Sequence, residues 1–281
     1  MAYFYDNCRL IIRAVRIYKG LNQSEVAKLL GVRQETMSRI EKGSRQLYAD
    51  EWLNFCNSTG ISARSGINGT VDLVEKDSSG GAGGFKIPSA YRGYMGSTVR
   101  ILRAHLKIFE KLYGKGAVKE YLNKRGFDES YMVILNNPTD TRLSKELVEI
   151  ISKEITLESL EQEVKAVVNE KIHGRVYRVV KEMLPICIAE YFSKNSHLYE
   201  VNFEYDLVDS HEKGAVFNVT PSSPCKSLFR KSDSYSLSFM NHYMSRHLKE
   251  VFSISGSTVR VQHSGDLMGL HGSLWEFSYE S

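Results

Sequence analysis

Apolar residues in the first sixty positions fall in short helical blocks separated by glycines. Over 6–19, Leu10, Ile11, Ala14, Val15 and Tyr18 recur at helical spacing, which predicts an amphipathic helix ended by Gly20. Asn22 stands at an N-cap position, and a second short helix from Gln23 carries Ala27, Leu29 and Leu30. It breaks at Gly31, where the chain turns without a Cβ penalty, and Val32 follows as a buried turn residue. Met37 and Ile40, three apart, mark a helix from about Arg33 to Lys42, closed by Gly43. Trp52, Leu53 and Cys56 mark another over 49–59, with Trp52 expected in the core of so small a domain. A short helix, a glycine turn and a second helix with a polar outer face form the helix-turn-helix arrangement.

The pattern lapses over 62–96. SARSGINGT and SSGGAGG have no period, and Gly80 to Gly84 suit neither helix nor strand, so a flexible tether is expected. Tyr91, Tyr94 and Met95 are expected to dock back onto a domain. A phosphate-loop reading fails, because no strand precedes these glycines and no Gly-Lys-Ser/Thr follows.

Helical spacing returns with Val99, Leu102, Leu106, Phe109, Leu112 and Tyr113, and Gly114 and Gly116 are expected to stop that helix. Residues 117–124 predict another helix, ended by Gly126. Ser144 is expected to cap a helix carrying Leu147, Ile150 and Ile151, and Thr156 one carrying Leu160, Val164, Val167 and Val168. Pro185 sets a kink or a boundary inside the apolar run 175–193. Beyond Val201 the period becomes two. Val201, Phe203, Tyr205 and Leu207 alternate, and 214–220 follows a His-Glu-Lys-Gly turn, which predicts an antiparallel hairpin. A helix over 234–252 and two alternating strands, 258–264 and 273–280, joined by a Gly-rich turn, complete the chain. The expected fold class is α+β: an all-α helix-turn-helix domain (1–61), a Gly/Ser-rich linker (62–96), and an α+β domain with helices packed on an antiparallel sheet (97–281).

Composition narrows the function. The chain has 281 residues, 42% of them hydrophobic, enough for two domains. The absence of a long apolar run argues against a membrane span, and the N-terminus lacks the pattern of a secretory signal. Cys8, Cys56, Cys187 and Cys225 are scattered, which fits a reducing cytoplasm and neither a zinc ribbon nor a disulfide framework. Of the net charge of +4, residues 1–60 hold +3, from nine Lys/Arg against six Asp/Glu. The basic excess lies where phosphates would have to be attracted, and the near-neutral remainder suits ligand binding or oligomerisation.

Residues 8–60 resemble the Cro/C1 (Xre-type) helix-turn-helix family. The shared features are Gln23 opening the first helix, Ala27, the Gly31-Val32 turn, Ser38-Arg39-Ile40-Glu41 and the closing Gly43. The resemblance implies binding to double-stranded DNA with the second helix in the major groove. It gives Gln23 and Ser24 phosphate contacts at a helix N-terminus, Gln23 also bracing the recognition helix. Gln34, Glu35 and Arg39 are aimed at base edges, suited to adenine, cytosine and guanine. Arg33 joins them on the exposed start of that helix, Thr36 and Ser38 serve phosphate or capping roles, and Lys42 and Arg45 meet the DNA backbone. Glu41 is expected to pair structurally with Arg13 or Arg16.

Residues 100–280 resemble the 4-vinyl-reductase-like superfamily, related in fold to haem–nitric-oxide-binding sensors. The resemblance is carried by Phe203-Glu204-Tyr205, Ala215 to Pro221, and Trp275-Glu276-Phe277. It implies a domain that dimerises or binds small hydrophobic ligands; a buried apolar cavity lined by Phe203, Tyr205, Phe217, Phe239 and Trp275 would mark the sensor. Where members carry cysteines near the last hairpin, this chain has His263, Gly269 and His271. The Tyr-x-Ser-x-Arg motif of haem sensors is one residue short at Tyr243-Met-Ser245-Arg246. His242 and His247 are five apart, whereas convergence on a metal needs four; His263 and His271 flank a hairpin turn without a carboxylate or thiol partner. No metal and no cofactor is therefore expected. No nucleophile elbow, Walker motif or dinucleotide fingerprint is found, so no enzyme is expected. The reading is a cytoplasmic, homodimeric, sequence-specific transcriptional regulator of an inverted-repeat operator, sensing a small, largely apolar ligand. The alternative is a DNA-binding module fused to an enzymatic or purely partner-binding domain.

Overall fold

The computed structural model of the protein describes residues 2–73, 83–196, 202–230, 232, 234–265, 268 and 272–280. Packing divides the chain into two units, Met1–Ser89 with Lys119–Pro138, and Ala90–Val118 with Thr139–Ser281.

The first unit opens with α1 (Ala2–Tyr18), α2 (Gln23–Leu30), α3 (Gln34–Lys42), α4 (Ala49–Thr59) and the single turn α5 (Ser65–Asn68). Asn22 caps α2 reciprocally: its Oδ1 accepts from the Glu25 N–H (2.9 Å), and Glu25 Oε2 accepts from the Asn22 N–H (2.7 Å). Gly31 ends α2 at φ +74°, in the left-handed region the tight turn requires. Ile11, Ile12 and Val15 of α1 pack with Val26, Leu30, Met37 and Ile40, and Trp52 and Phe55 of α4 close that core. Trp52 is buried, as its spacing predicts, and donates through Nε1 to the Ala63 carbonyl (3.1 Å). Leu53, read as an apolar position of the same helix, is about half exposed instead, and Phe55 fills the core.

Much of the stretch 62–96 is built into structure. α5 falls inside it, and Val71 bridges Ile134 in parallel, the Val71 N–H donating to the Val133 carbonyl (2.9 Å) and the Leu135 N–H to the Val71 carbonyl (2.9 Å). The Gly84 N–H donates to the Tyr18 carbonyl (3.2 Å). Gly80, Gly81 and Ala82, with the rest of 74–82, lie outside the described residues. Residues 119–138 pack in this unit too: Arg13 of α1 pairs with Asp128 (2.6 Å), and Val133 and Ile134 enter the core. That assignment needs a long-range partner, which the local helical pattern of 117–124 does not name.

Next come β1 (Met95–Thr98), α6 (Val99–Tyr113), α7 (Lys115–Lys124), β2 (Pro138–Asp140), α8 (Thr141–Ile151), α9 (Leu157–Val167), α10 (Glu170–His173), α11 (Arg175–Lys181) and α12 (Pro185–Asn195). They are followed by β3 (Phe203–His211), β4 (Gly214–Pro221), α13 (Ser223–Phe229), α14 (Ser234–Ser253), β5 (Thr258–Gly265) and β6 (Ser273–Glu280). The unit boundary falls inside α7, where Gly116 is tolerated rather than breaking the helix. Asp140, not Ser144, caps α8, its Oδ1 accepting from the Arg142 N–H (2.9 Å). Pro185 takes the first turn of α12, where its missing N–H costs nothing, so it marks a boundary and not a kink. Tyr91 and Tyr94 dock as expected, both rings lying against the Arg142 guanidinium.

The sheet runs β3-β4-β6-β5, antiparallel throughout. Phe217 stands opposite Leu207 on one side and Trp275 on the other. Phe203, Tyr205, Phe217, Trp275 and Phe277 turn to a buried face, where Phe217 stacks on Phe252 of α14 (6.2 Å). Glu204, Asp206, Arg260, Glu276 and Ser278 face out. This is the expected arrangement of helices on one face of an antiparallel sheet, hence α+β. Val201, Gly269 and His271 lie outside the described residues, as does most of the Gly-rich turn.

Candidate functional site

Two sites are built, one in each unit. In the first, α3 presents Arg33, Gln34, Glu35, Arg39 and Lys42 as exposed side chains, while Met37 and Ile40 anchor its other face. Thr36 and Ser38 are half-buried, as are Gln23 and Ser24 at the start of α2. The buried Glu41 locks three helices together. Its carboxylate accepts from Arg16 Nε of α1 (2.6 Å) and Nη2 (3.2 Å), and from Gln23 Nε2 of α2 (2.7 Å). Arg16 is thus the partner, while Arg13 serves Asp128. Gln23 braces α3 through this contact. Arg45 sits apart from the α3 row: its guanidinium forks onto Glu51 (2.8 and 2.7 Å) and lies over the Tyr48 ring (4.6 Å). Burial alone would raise the Glu51 carboxyl. The Arg45 hydrogen bonds and the Tyr48 N–H outweigh it and hold that carboxyl below its ordinary value.

In the second unit a cavity of about 120 Å³ lies between the buried face of the sheet and the helices. Its walls are mostly apolar, and Phe203, Tyr205 and Trp275 line it together with Phe192, Phe229, Met240 and Val251. Phe217 and Phe239 are fully buried but are not part of the lining. Trp275 is fixed by its Nε1, which donates to Asn241 Oδ1 (2.8 Å), and its ring meets Tyr205 edge-on (5.9 Å). Polar residues on the lining include Arg100, His105, Ser144, His173 and His247. Burial pushes His105 down to about 3, helped by His247, and pushes His247 itself down to about 4. His173 is likewise held well below its ordinary value by burial, then by His247 and Arg100. All three imidazoles are therefore neutral at pH 7. None of these polar residues was a sequence candidate for the cavity. The three histidines sit one to a helix, and only the packing of α6, α10 and α14 gathers them.

Elsewhere in this unit His263 pairs with His242, while His271 lies outside the described residues. His263 Nε2 and His242 Nδ1 are 2.8 Å apart, and Arg246 also reaches His242 Nδ1 (2.6 Å). Among the described residues no group of three His, Cys, Asp or Glu side chains is disposed to hold a metal ion.

Residues 12–63 match the helix-turn-helix family model, of the Cro/C1 type. The structure is similar over 66% of the chain to the crystal structure of the Fe(II) unliganded H-NOX protein from K. algicida, with 12% identity, a TM-score of 0.42 and 97% of that chain covered. A mutant of the same protein gives 13% identity, a TM-score of 0.44 and the same coverage. No curated protein matches the chain. The first unit thus holds a helix-turn-helix domain, the class of module that binds DNA in the major groove. No helix among the described residues is long and apolar enough to cross a membrane.

Proposed function

We propose that the protein is a sequence-specific, DNA-binding transcriptional regulator. It works in the cytoplasm as a homodimer on an inverted-repeat operator, and its second unit senses a small, largely apolar ligand. The observation that carries the reading is the family match over 12–63 combined with the exposed row on α3, held in place by the buried Glu41 contacts. On this reading Gln34 and Arg39 read bases, with Glu35 beside them. Arg33, Thr36, Ser38, Lys42, Gln23 and Ser24 position the domain on phosphates. Arg45 contributes charge while staying paired to Glu51. The apolar cavity supports the sensing half, and it makes the purely structural alternative for this domain less apt. A ligand preferring one of two conformations would shift operator affinity.

Selection of DNA fragments by the full-length protein gives the operator. Gln34→Ala and Arg39→Ala are then each expected to lose about 1–3 kcal/mol of discrimination at one base position. Both variants keep their far-ultraviolet circular dichroism. Unchanged base preference in both would remove α3 as the reading element.

A further inference from the structure

The polar wall of the cavity indicates the kind of molecule it takes. His105 and His247 flank Tyr243, and His173 packs edge-on against His247. Ring centroids lie 4.7 Å apart for His105 and Tyr243, 5.9 Å for Tyr243 and His247, and 5.0 Å for His173 and His247. Three ring nitrogens, His105 Nδ1, His173 Nε2 and His247 Nδ1, are buried with no hydrogen-bond partner among the described residues. Ser144 Oγ, on the same lining, is in the same state. His105 and His173 are only 5% exposed, so water does not readily serve them. Buried polar atoms are nearly always satisfied, and four unsatisfied atoms on residues that line one cavity are open to a group that arrives with the ligand.

Charge decides what that group is. No Asp or Glu is present among the described residues of the lining. Arg100 is 3% exposed there and donates to the His173 carbonyl. Each neutral imidazole has one N–H to give and can switch tautomer to present it, and the serine hydroxyl adds another donor. Donors gathered beside a guanidinium, with no carboxylate among the described residues of the lining, favour an anionic acceptor. The rest of the wall is mostly apolar, with Thr141, Lys145, Ser196 and Asn202 also on it, and the volume of about 120 Å³ is close to the roughly 150 Å³ that accommodates a benzene.

We propose that the cavity binds a small hydrophobic monocarboxylate. The acid is aromatic or short-chain, with a body about the size of a benzene ring, and its carboxylate accepts from His105, His173, His247 and Ser144. This rests on the ligand-sensing reading of the second unit. The test is isothermal titration calorimetry of the full-length protein with benzoate and hexanoate, against benzyl alcohol and 1-hexanol, which match them in shape and lack the charge. At least one acid is expected to bind about tenfold or more tighter than its alcohol, as charge-assisted hydrogen bonds are worth. His105→Gln and His247→Leu are expected to erase most of that preference while alcohol binding persists, which reports an intact cavity. The wild-type ratio of acid to alcohol decides the ligand class even if a variant fails to fold. An alcohol that binds as tightly as its acid overturns the anionic head and leaves an apolar-ligand site. Binding of neither acids nor alcohols overturns the ligand-sensing reading as well.

Discussion

Glu41 concentrates the energetics of the first unit in one side chain. It is 4% exposed and faces Arg16 at 19%. A buried carboxylate is tolerated only when paired and hydrogen-bonded, and removing it strands the partner guanidinium. Glu41→Ala is therefore expected to destabilise the first unit by about 3 kcal/mol. Arg13→Ala breaks a pair whose members are 39% and 38% exposed, and it is expected to cost less than about 1 kcal/mol. Urea unfolding of the full-length protein, followed by Trp52 fluorescence in variants lacking Trp275, compares the two. A Glu41→Ala loss no larger than that of Arg13→Ala would show that the buried pair does not hold α3. The same residue separates bracing from reading. Loss of Glu41 should weaken all DNA sites alike, whereas Gln34→Ala and Arg39→Ala change which site is preferred.

At the scale of elements, the histidines carried by α6, α10 and α14 make the second unit sensitive to acid. Their folded values lie below the ordinary one, about 3 for His105 and about 4 for His247, with His173 also lowered, all primarily by burial. Above pH 6.5 neither the folded nor the unfolded chain protonates them, and they do not affect stability. Below 6.5 the unfolded chain takes up protons that the folded chain refuses. Stability then falls by about 1.4 kcal/mol per pH unit for each histidine, until the folded state also protonates. His242 and His263 are lowered as well and act in the same sense. Carboxylates held low, such as Asp140, contribute only below about pH 4.5. The interval from 6.5 to 5 therefore belongs to the histidines. Urea midpoints read from Trp275 fluorescence should drop steeply across it, and less steeply in His105→Phe; a flat profile would mean these rings are solvated. The elements themselves were largely legible beforehand, because glycine breaks and 3.6- or 2-residue periods are local signals. The histidine cluster was not, since His105, His173 and His247 are brought together only by packing. For the same reason the aromatic residues of the sheet could be named from alternation, yet alternation does not separate Phe203, Tyr205 and Trp275, which line the cavity, from Phe217, which fills the core beside it.

Across the whole molecule, the chain passes between its two units three times, after Ser89, Val118 and Pro138. No compositional shift marks the return of 119–138 to the first unit, where Asp128, Val133 and Ile134 complete contacts begun by α1 and Val71. Boundaries drawn from glycine and serine content follow the covalent chain, whereas the core follows burial, and the two part company there. Oligomeric state belongs to this scale because one α3 exposes few base-reading side chains, with Gln34, Glu35 and Arg39 the candidates. A monomer could discriminate only a short site. Helix-turn-helix proteins gain length by placing two recognition helices in successive major grooves, about one helical turn of DNA apart. The full-length protein is therefore expected to sediment as a dimer at micromolar concentration, and to bind an inverted repeat with half-site centres about 10 base pairs apart. Deleting one half-site at constant salt should weaken binding by about a hundredfold or more, because the second contact becomes intramolecular once the first is made. A protein that sediments as a monomer and binds one half-site as tightly as two would assign all specificity to a single helix-turn-helix domain, and would leave the second unit to act on DNA binding within one chain.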